Sequence, residues 1–268
     1  MTMTSDFTTI RFGVADGVAT LTLNRPDRLN SFNAVMHTEM REALERVVSP
    51  AGGARCLLIT GAGRGFCAGQ DLGDRAVQPG ETPPDLGQSL EDRYNPLVRT
   101  LRGLDLPVVC AVNGVAAGAG ANLAFACDIV LAARGASFIQ SFCRIGLVPD
   151  SGGTWFLPRL TGLARATGLA MLGDAVSAER AETLGLIWKM VEDDRLAEES
   201  AALARHLAAQ PTRGLALIKR ALAASAGNSL DSQLDLERDL QREAGRTDDY
   251  REGVAAFLDR RPPVFQGR

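Results

Sequence analysis

The sequence predicts an α/β chain followed by an all-helical tail, and three observations carry this. Short apolar and β-branched runs, bounded by turn residues, recur at Val18–Leu23, Cys56–Thr60, Val108–Val112 and Asp128–Ala132. Stretches with apolar residues at helical spacing lie between them, a strand–helix rhythm of roughly 40–50 residues that marks α/β architecture. Past about residue 193 the strand patterns stop, so 1–193 is expected to be the α/β core and 194–268 a helical region.

The elements follow in order. Val18-Ala-Thr-Leu-Thr-Leu23 alternates and reads as a strand, which Asn24-Arg-Pro-Asp-Arg28 breaks. Met36, Met40, Ala43, Leu44, Val47 and Val48 keep helical spacing, with Asn33 as N-cap. Cys56-Leu-Leu-Ile-Thr60 is a continuous apolar run, hence a buried strand, and 61–69 a loop. Residues 73–90, rich in Pro, Gly and polar groups, read as a mobile loop, and Glu91–Leu104 as a helix with Pro96 in its early part. Then come a strand at Val108–Val112, a small-residue helix at Ala117–Ala126 and a strand at Asp128–Ala132. Helices are expected at Leu196–Ala209, Gly214–Ala224, Leu230–Arg242 and Asp248–Arg260. A tail of this size docks on its own body or on another subunit. The sequence carries no internal repeat.

Composition excludes several functions. With 268 residues, 46% of them apolar, the chain can build a full core without staples. Its 29 Lys and Arg against 32 Asp and Glu leave a net charge of −3, unlike a generally basic nucleic-acid binder or a polybasic membrane address. Five cysteines without a C-x-x-C pair, four of them beside apolar runs, read as reduced, buried thiols in a cytoplasmic protein. The first ten residues hold no Lys or Arg and no long apolar run, so no signal peptide is expected. Val108–Cys127 is uncharged, but Pro107, Asn113, Asn122 and three glycines suit a buried strand, turn and helix rather than a membrane span.

The motifs narrow the chemistry further. The two histidines, His37 and His206, are far apart and read as surface positions on helices, which leaves little for a histidine triad or metal site. Gly61-x-Gly-x-Gly lacks the Lys-Ser/Thr of a P-loop, Gly118-x-Gly-x-x-Leu lacks the third glycine of a dinucleotide fingerprint, and there is no G-x-S-x-G elbow. Carboxylates remain as acid–base groups, and backbone N–H groups as electrophilic helpers. Two glycine-rich loops each follow a buried strand: Phe66-Cys-Ala-Gly-Gln-Asp-Leu72 and Asn113-Gly-Val-Ala-Ala-Gly-Ala-Gly-Ala-Asn122. Such loops can aim two N–H groups at one anionic oxygen, and they serve tight packing of helix on strand equally well. Asp150 stands in Pro149-Asp-Ser-Gly-Gly, a strong turn signal on its own.

Over nearly its whole length the chain resembles the enoyl-CoA hydratase/isomerase (crotonase) superfamily. The resemblance rests on Leu23-Asn-Arg-Pro26 with Asn30-Ser-Phe-Asn33, Gly65-Phe-Cys-Ala-Gly-Gln-Asp71, Pro107-Val-Val-Cys-Ala-Val-Asn-Gly-Val-Ala-Ala-Gly118, Cys127-Asp-Ile129 and Gly146-Leu-Val-Pro-Asp-Ser-Gly-Gly-Thr154, in that order. It implies an α/β, crotonase-like spiral of ββα units with a C-terminal helical trimerisation region. It also implies a homotrimer or dimer of trimers, an acyl-CoA substrate, and no metal or other cofactor, CoA being part of the substrate. Tyr94-Asn-Pro-Leu-Val98, Leu234-Asp-Leu-Glu-Arg-Asp239 and Asp249-Tyr-Arg-Glu-Gly253 resemble the family's isomerases of ring-epoxidised phenylacetyl-CoA. That implies conversion of a ring 1,2-epoxide to an oxepin and the shift of a 3-enoyl to a 2-enoyl thioester.

Carried over by motif, the two oxyanion-hole N–H groups fall on Gln70 and Ala119, where side-chain identity is expected to matter little. The two glutamates of the family's hydratases fall at Asn122 and Phe142 and are both absent. Asp150 stands where some members keep their single acid, which suits proton shuttling. Asn122 is expected to hold the substrate or Asp150. Phe66, Leu72 and Phe142 are expected to line a dry acyl pocket. Arg28, Leu29, Ala68, Gln70, Asp71 and Leu72, with Phe257 and Arg260 from a neighbouring subunit, are the expected CoA contacts. An enoyl-CoA hydratase of broader specificity, or a non-catalytic CoA- or RNA-binding homologue, are the alternative readings.

Overall fold

The computed structural model describes residues 7–75 and 84–268. Among them, ten strands form two sheets. They are β1 (Ile10–Ala15), β2 (Val18–Leu23), β3 (Cys56–Gly61), β4 (Gly65–Cys67), β5 (Val108–Val112), β6 (Val115–Ala117), β7 (Ile129–Ala133), β8 (Ser137–Ile139), β9 (Ala175–Ser177) and β10 (Lys189–Val191). The larger sheet has the order β1-β2-β3-β5-β7-β10 and is parallel except for the β1–β2 hairpin. The smaller has the order β4-β6-β8-β9, parallel except for β9.

Three successive pairs, β3–β4, β5–β6 and β7–β8, each send a long strand to the larger sheet and a three-residue strand to the smaller. The chain therefore winds as a spiral, as expected. The long strands are nearly continuous apolar runs because both faces are covered; every residue of β5 is buried.

Helix α1 (Ala34–Val48) starts where expected, Asn33 Oδ1 accepting the Met36 N–H at 2.9 Å. It buries Met36, Met40, Ala43, Leu44 and Val47. His37 is buried on the same face, against Phe32 and Tyr94, which corrects the surface reading. The loop expected over 73–90 is also revised. A short 3-10 turn spans Leu72–Arg75, and α2 (Leu86–Ser89) starts before residue 90; residues 76–83 lie outside the described residues, as do 1–6 of the N-terminal reading. Pro96 has no N–H to give the Asp92 carbonyl. The helix accordingly widens to a π turn over Leu90–Tyr94 before α3 (Asn95–Gly103), and Arg41 Nη2 donates to the Asp92 carbonyl at 3.4 Å.

Helix α4 (Ala119–Phe125) is buried throughout, and α5 (Gly153–Thr161), α6 (Leu163–Leu172) and α7 (Ala178–Leu184) follow. The break at residue 193 separates secondary-structure content rather than cores. Helix α8 (Leu196–Ala208) lies on the larger sheet and adds Leu196, Ala204 and Ala208 to the main core. Helices α9 (Thr212–Ser225), α10 (Leu230–Ala244) and α11 (Asp248–Asp259) are tied to the body by polar anchors. Lys219 Nζ meets Asp128 at 2.8 Å and the Leu101 carbonyl at 2.9 Å. Arg55 donates to Thr212 Oγ1 at 2.9 Å and to the Gln210 and Phe265 carbonyls at 2.6 and 3.0 Å. Ile218, Leu222, Leu234, Phe257 and Leu258 of this tail are exposed. Among the described residues no helix is long and apolar enough to cross a membrane.

Candidate active site

The spiral brings the two glycine loops into contact. Strand β4 runs into Ala68–Asp71, and β6 runs through Gly118 into α4. Gly118 has φ +52° and ψ −126°, a conformation that a side chain disfavours. A Cβ at Gly120 would lie 2.3 Å from the Cys67 carbonyl oxygen, so only glycine lets α4 approach β4 this closely. A Cβ at Gly69 would lie 2.9 Å from the Ala117 carbonyl oxygen and 3.3 Å from the Ala119 nitrogen, which places the two loops side by side.

Both peptides of interest are fixed by their neighbours. Ala119 is the first residue of α4, so its N–H has no acceptor within the helix. Gln70 pairs with Phe32 in a parallel bridge: the Phe32 N–H donates to the Gly69 carbonyl at 2.7 Å and the Asp71 N–H to the Phe32 carbonyl at 2.9 Å. Such a bridge uses the groups of residues 69 and 71 and turns the Gln70 N–H to the other side of the strand.

Gln70 and Ala119 line a cavity of about 310 Å³, together with Ala68, Gly69, Leu72, Pro84, Leu86, Gly118, Ser141, Phe142, Ile145, Leu147 and Asp150. Among these described residues Asp150 is the one carboxylate. It sits in a tight turn where Ser151 and Gly152 have φ +52° and +82°. Ser151 Oγ donates to Asp150 Oδ1 at 2.8 Å, and the Gly153 N–H donates to the Asp150 carbonyl at 2.8 Å. Asn122 Nδ2 donates to that same carbonyl at 2.8 Å, while Asn122 Oδ1 accepts from Gln140 Nε2 at 2.9 Å. A Cβ at Gly153 would fall 2.4 Å from Asn122 Nδ2, so the glycine makes room for this amide.

The structure thus gathers Gln70, Ala119, Asp150, Ala68, Leu72 and Phe142 around one cavity. Other expected site residues lie elsewhere. Asn122 has no solvent exposure and stands behind the wall rather than facing the cavity, so of its two expected roles it takes that of holding Asp150, through the main-chain carbonyl. Phe66 is fully buried in the main core because β4 turns it inward, so it is not a cavity residue. Asp71 accepts from Arg25 Nη2 at Oδ2, 2.9 Å, and from the Gly73 N–H at Oδ1, 3.1 Å; the Arg25 hydrogen bond holds its carboxyl below the usual aspartate range. Arg28 is exposed and Leu29 half-buried, its carbonyl accepting the Ala68 N–H at 2.9 Å. Phe257 and Arg260 are exposed on and just after α11 and do not line this chain's cavity.

Sequence reasoning missed Gln140, Tyr94, Ile145 and Leu147. The last two carry a signal in retrospect, as apolar residues flanking Gly146 ahead of the Asp150 turn. Burial pushes the Cys67 thiol up to about 12, so the cysteine next to the loop is an inert, protonated packing group.

Comparison with known proteins points the same way. Residues 13–268 match the profile of the family described as enoyl-CoA hydratase/isomerase. The 1,2-epoxyphenylacetyl-CoA isomerase of Escherichia coli (strain K12) is 61% identical over 255 residues, covering 95% of this chain and 97% of that protein. The trans-2-decenoyl-[acyl-carrier-protein] isomerase of Streptococcus mutans is 36% identical over 268 residues, covering 98% of this chain and 100% of that protein. Among solved structures, an enoyl-CoA hydratase from Polaromonas sp. JS666 superposes with a TM-score of 0.90 at 35% identity, covering 96% of this chain and 99% of that chain.

Proposed function

The chain belongs to the enoyl-CoA hydratase/isomerase family, and from that premise we propose that it is a single-carboxylate isomerase of acyl-CoA thioesters. The observation that carries this reading is the sharing of one cavity by Asp150, Gln70 and Ala119. The thioester oxygen is held by the N–H groups of Gln70 and Ala119. Asp150 removes the α-proton, and the electron pair moves onto the thioester oxygen, where the two donors stabilise the enolate. Each such donor is worth roughly 2.7–4 kcal/mol of barrier. Asp150 then returns a proton to another carbon of the same conjugated system. No atom is gained or lost, so the product is an isomer.

The preferred substrate in this reading is a ring 1,2-epoxide of phenylacetyl-CoA, converted to the oxepin; the identity of 61% to the isomerase of that name supports it. One proton leaves the α-carbon, one arrives at a ring carbon, the ring carbon–carbon bond bridged by the epoxide oxygen opens to give the seven-membered ring, and the oxygen stays in the molecule. The same groups shift a 3-enoyl to a 2-enoyl thioester. Leu72, Leu86, Phe142, Ile145 and Leu147 give the acyl group apolar walls. CoA is substrate, and no further cofactor enters. Hydration is disfavoured because Asn122 is committed to Asp150 and Gln140, and the Phe142 ring lies against Gly118. The exposed apolar residues of α9–α11 support a homotrimer or dimer of trimers, with Phe257 and Arg260 reaching a neighbour's CoA.

Turnover in water labelled with heavy oxygen and deuterium separates isomerase from hydratase. The proposal expects deuterium, and no solvent oxygen, in the product of a 3-enoyl-CoA. Incorporation of labelled oxygen at the rate of turnover overturns it.

A further inference from the structure

We infer that Tyr94 is a positioning residue that acts through the side chain of Gln70; this rests on the reading above, in which the Gln70 N–H helps hold the thioester oxygen. Tyr94 closes the π turn and is 2% exposed. Its ring is held edge-on to His37 at 4.4 Å between centroids and lies 5.8 Å from the Phe32 ring. A phenol in such an aromatic cluster needs a polar partner. Tyr94 finds it in Gln70, its hydroxyl donating to Oε1 at 2.9 Å. Gln70 Nε2 in turn donates to the Asp71 carbonyl at 3.2 Å.

These contacts close a loop around one peptide. Phe32 fixes the main chain on one side through the bridge to residues 69 and 71. The same residue packs on Tyr94, and Tyr94 fixes the Gln70 side chain on the other. The dihedrals of Gln70 are thereby held from both directions, and with them the aim of its N–H into the cavity. On this inference side-chain identity at position 70 matters, unlike in the expectation drawn from the motif. The backbone donates, but the side chain aims the backbone.

The test reads the carbonyl stretch of a saturated acyl-CoA, labelled with carbon-13 at the thioester carbon, bound to the full chain. Its shift to lower wavenumber reports polarisation per bound molecule and does not depend on the active fraction. In wild type the shift is expected; its absence overturns the anion-hole reading itself. In Tyr94→Phe the shift is expected to shrink. The accompanying loss in kcat is about tenfold, below the roughly 10²–10³-fold for outright loss of a donor, with KM within about threefold. A shift and kcat equal to wild type overturn the role of Tyr94 while leaving that reading intact. Gln70→Met keeps the backbone donor and spares the aromatic cluster, so it serves if Tyr94→Phe does not fold. It is expected to show the same reduced shift, and a wild-type shift in it overturns the inference. Adding Tyr94→Phe to Gln70→Met is expected to cost nothing more, and additive losses contradict action through Gln70.

Discussion

Asn122 donates its side-chain amide to the main-chain carbonyl of Asp150 at 2.8 Å, from a position with no exposure to solvent. It thereby connects the helix that begins at Ala119 to the turn that carries the acid. One helix supplies an N–H at its first residue and, one turn later, the amide that places the carboxylate. The separation between the two groups is set by the helix rather than by a loop.

Removing this amide is expected to loosen the acid. Asn122→Ala leaves the Gln140 amide without its acceptor and takes one donor from the Asp150 carbonyl, a loss of about 1–3 kcal/mol for unsatisfied buried groups. Urea denaturation checks the stability, and steady-state kinetics check an expected fall in kcat. Asn122→Asp is expected to be worse, because it sets a carboxylate oxygen against a carbonyl oxygen.

Gly120→Ala addresses the contact between the loops. Its Cβ would meet the Cys67 carbonyl oxygen at 2.3 Å, and backbone rather than a flexible side chain must yield. Overpacking of this kind costs about 1–3 kcal/mol. The melting temperature is expected to drop, and kcat/KM to fall further than stability alone explains, since the first donor is pushed from the second.

The Arg25–Asp71 pair gives a pH signature. Its side chains are 18% and 15% exposed, and the folded-state carboxyl of Asp71 titrates below its ordinary value. The stabilisation is therefore present above the unfolded value of about 3.9 and disappears as pH falls through the lower folded value. Asp71→Asn is expected to destabilise at pH 7, with the gap to wild type closing below about pH 4. Denaturation midpoints across that range check it.

Lys219 anchors the tail. Its ammonium is largely buried, and it neutralises Asp128, which also accepts the Val108 N–H at 2.8 Å. Breaking a buried pair by removing one partner costs about 3–5 kcal/mol. Lys219→Ala is expected to fall short of that loss in chemical denaturation, because Arg102 Nη1 at 3.5 Å still faces Asp128, and proteolysis is expected to cut near α9 first.

Several long elements were legible because their patterns outlast noise, but α5, α6 and α7 were not among them. Val18–Leu23 and Val108–Val112 appear with the expected ends, since continuous or alternating apolar runs specify a strand buried in a sheet. The three-residue strands β4, β6, β8, β9 and β10 were not, because three residues hold no period and their place depends on neighbours along the spiral. Strand β1 had a signal that went unread. Asp16-Gly17, with φ +51° and +74°, is a two-residue hairpin turn leading into β2. His37 likewise lies on the Met36, Met40 and Leu44 face, where helical spacing alone places it inside. In the candidate site, the positions Gln70, Ala119 and Asp150 that share the cavity were reachable from motifs. The Tyr94–Gln70 and Gln140–Asn122 contacts join residues 24 and 18 apart by side-chain reach, which no spacing rule encodes.

Asp150→Asn tests the central claim most directly. It keeps the shape and an oxygen for the Ser151 hydroxyl but removes the base. General acid–base groups contribute roughly 10²–10⁴-fold. The expected result is a loss of kcat of about that size for a 3-enoyl-CoA, with the affinity for a saturated acyl-CoA unchanged within a few-fold. Isomerisation by the variant at close to the wild-type rate contradicts the account.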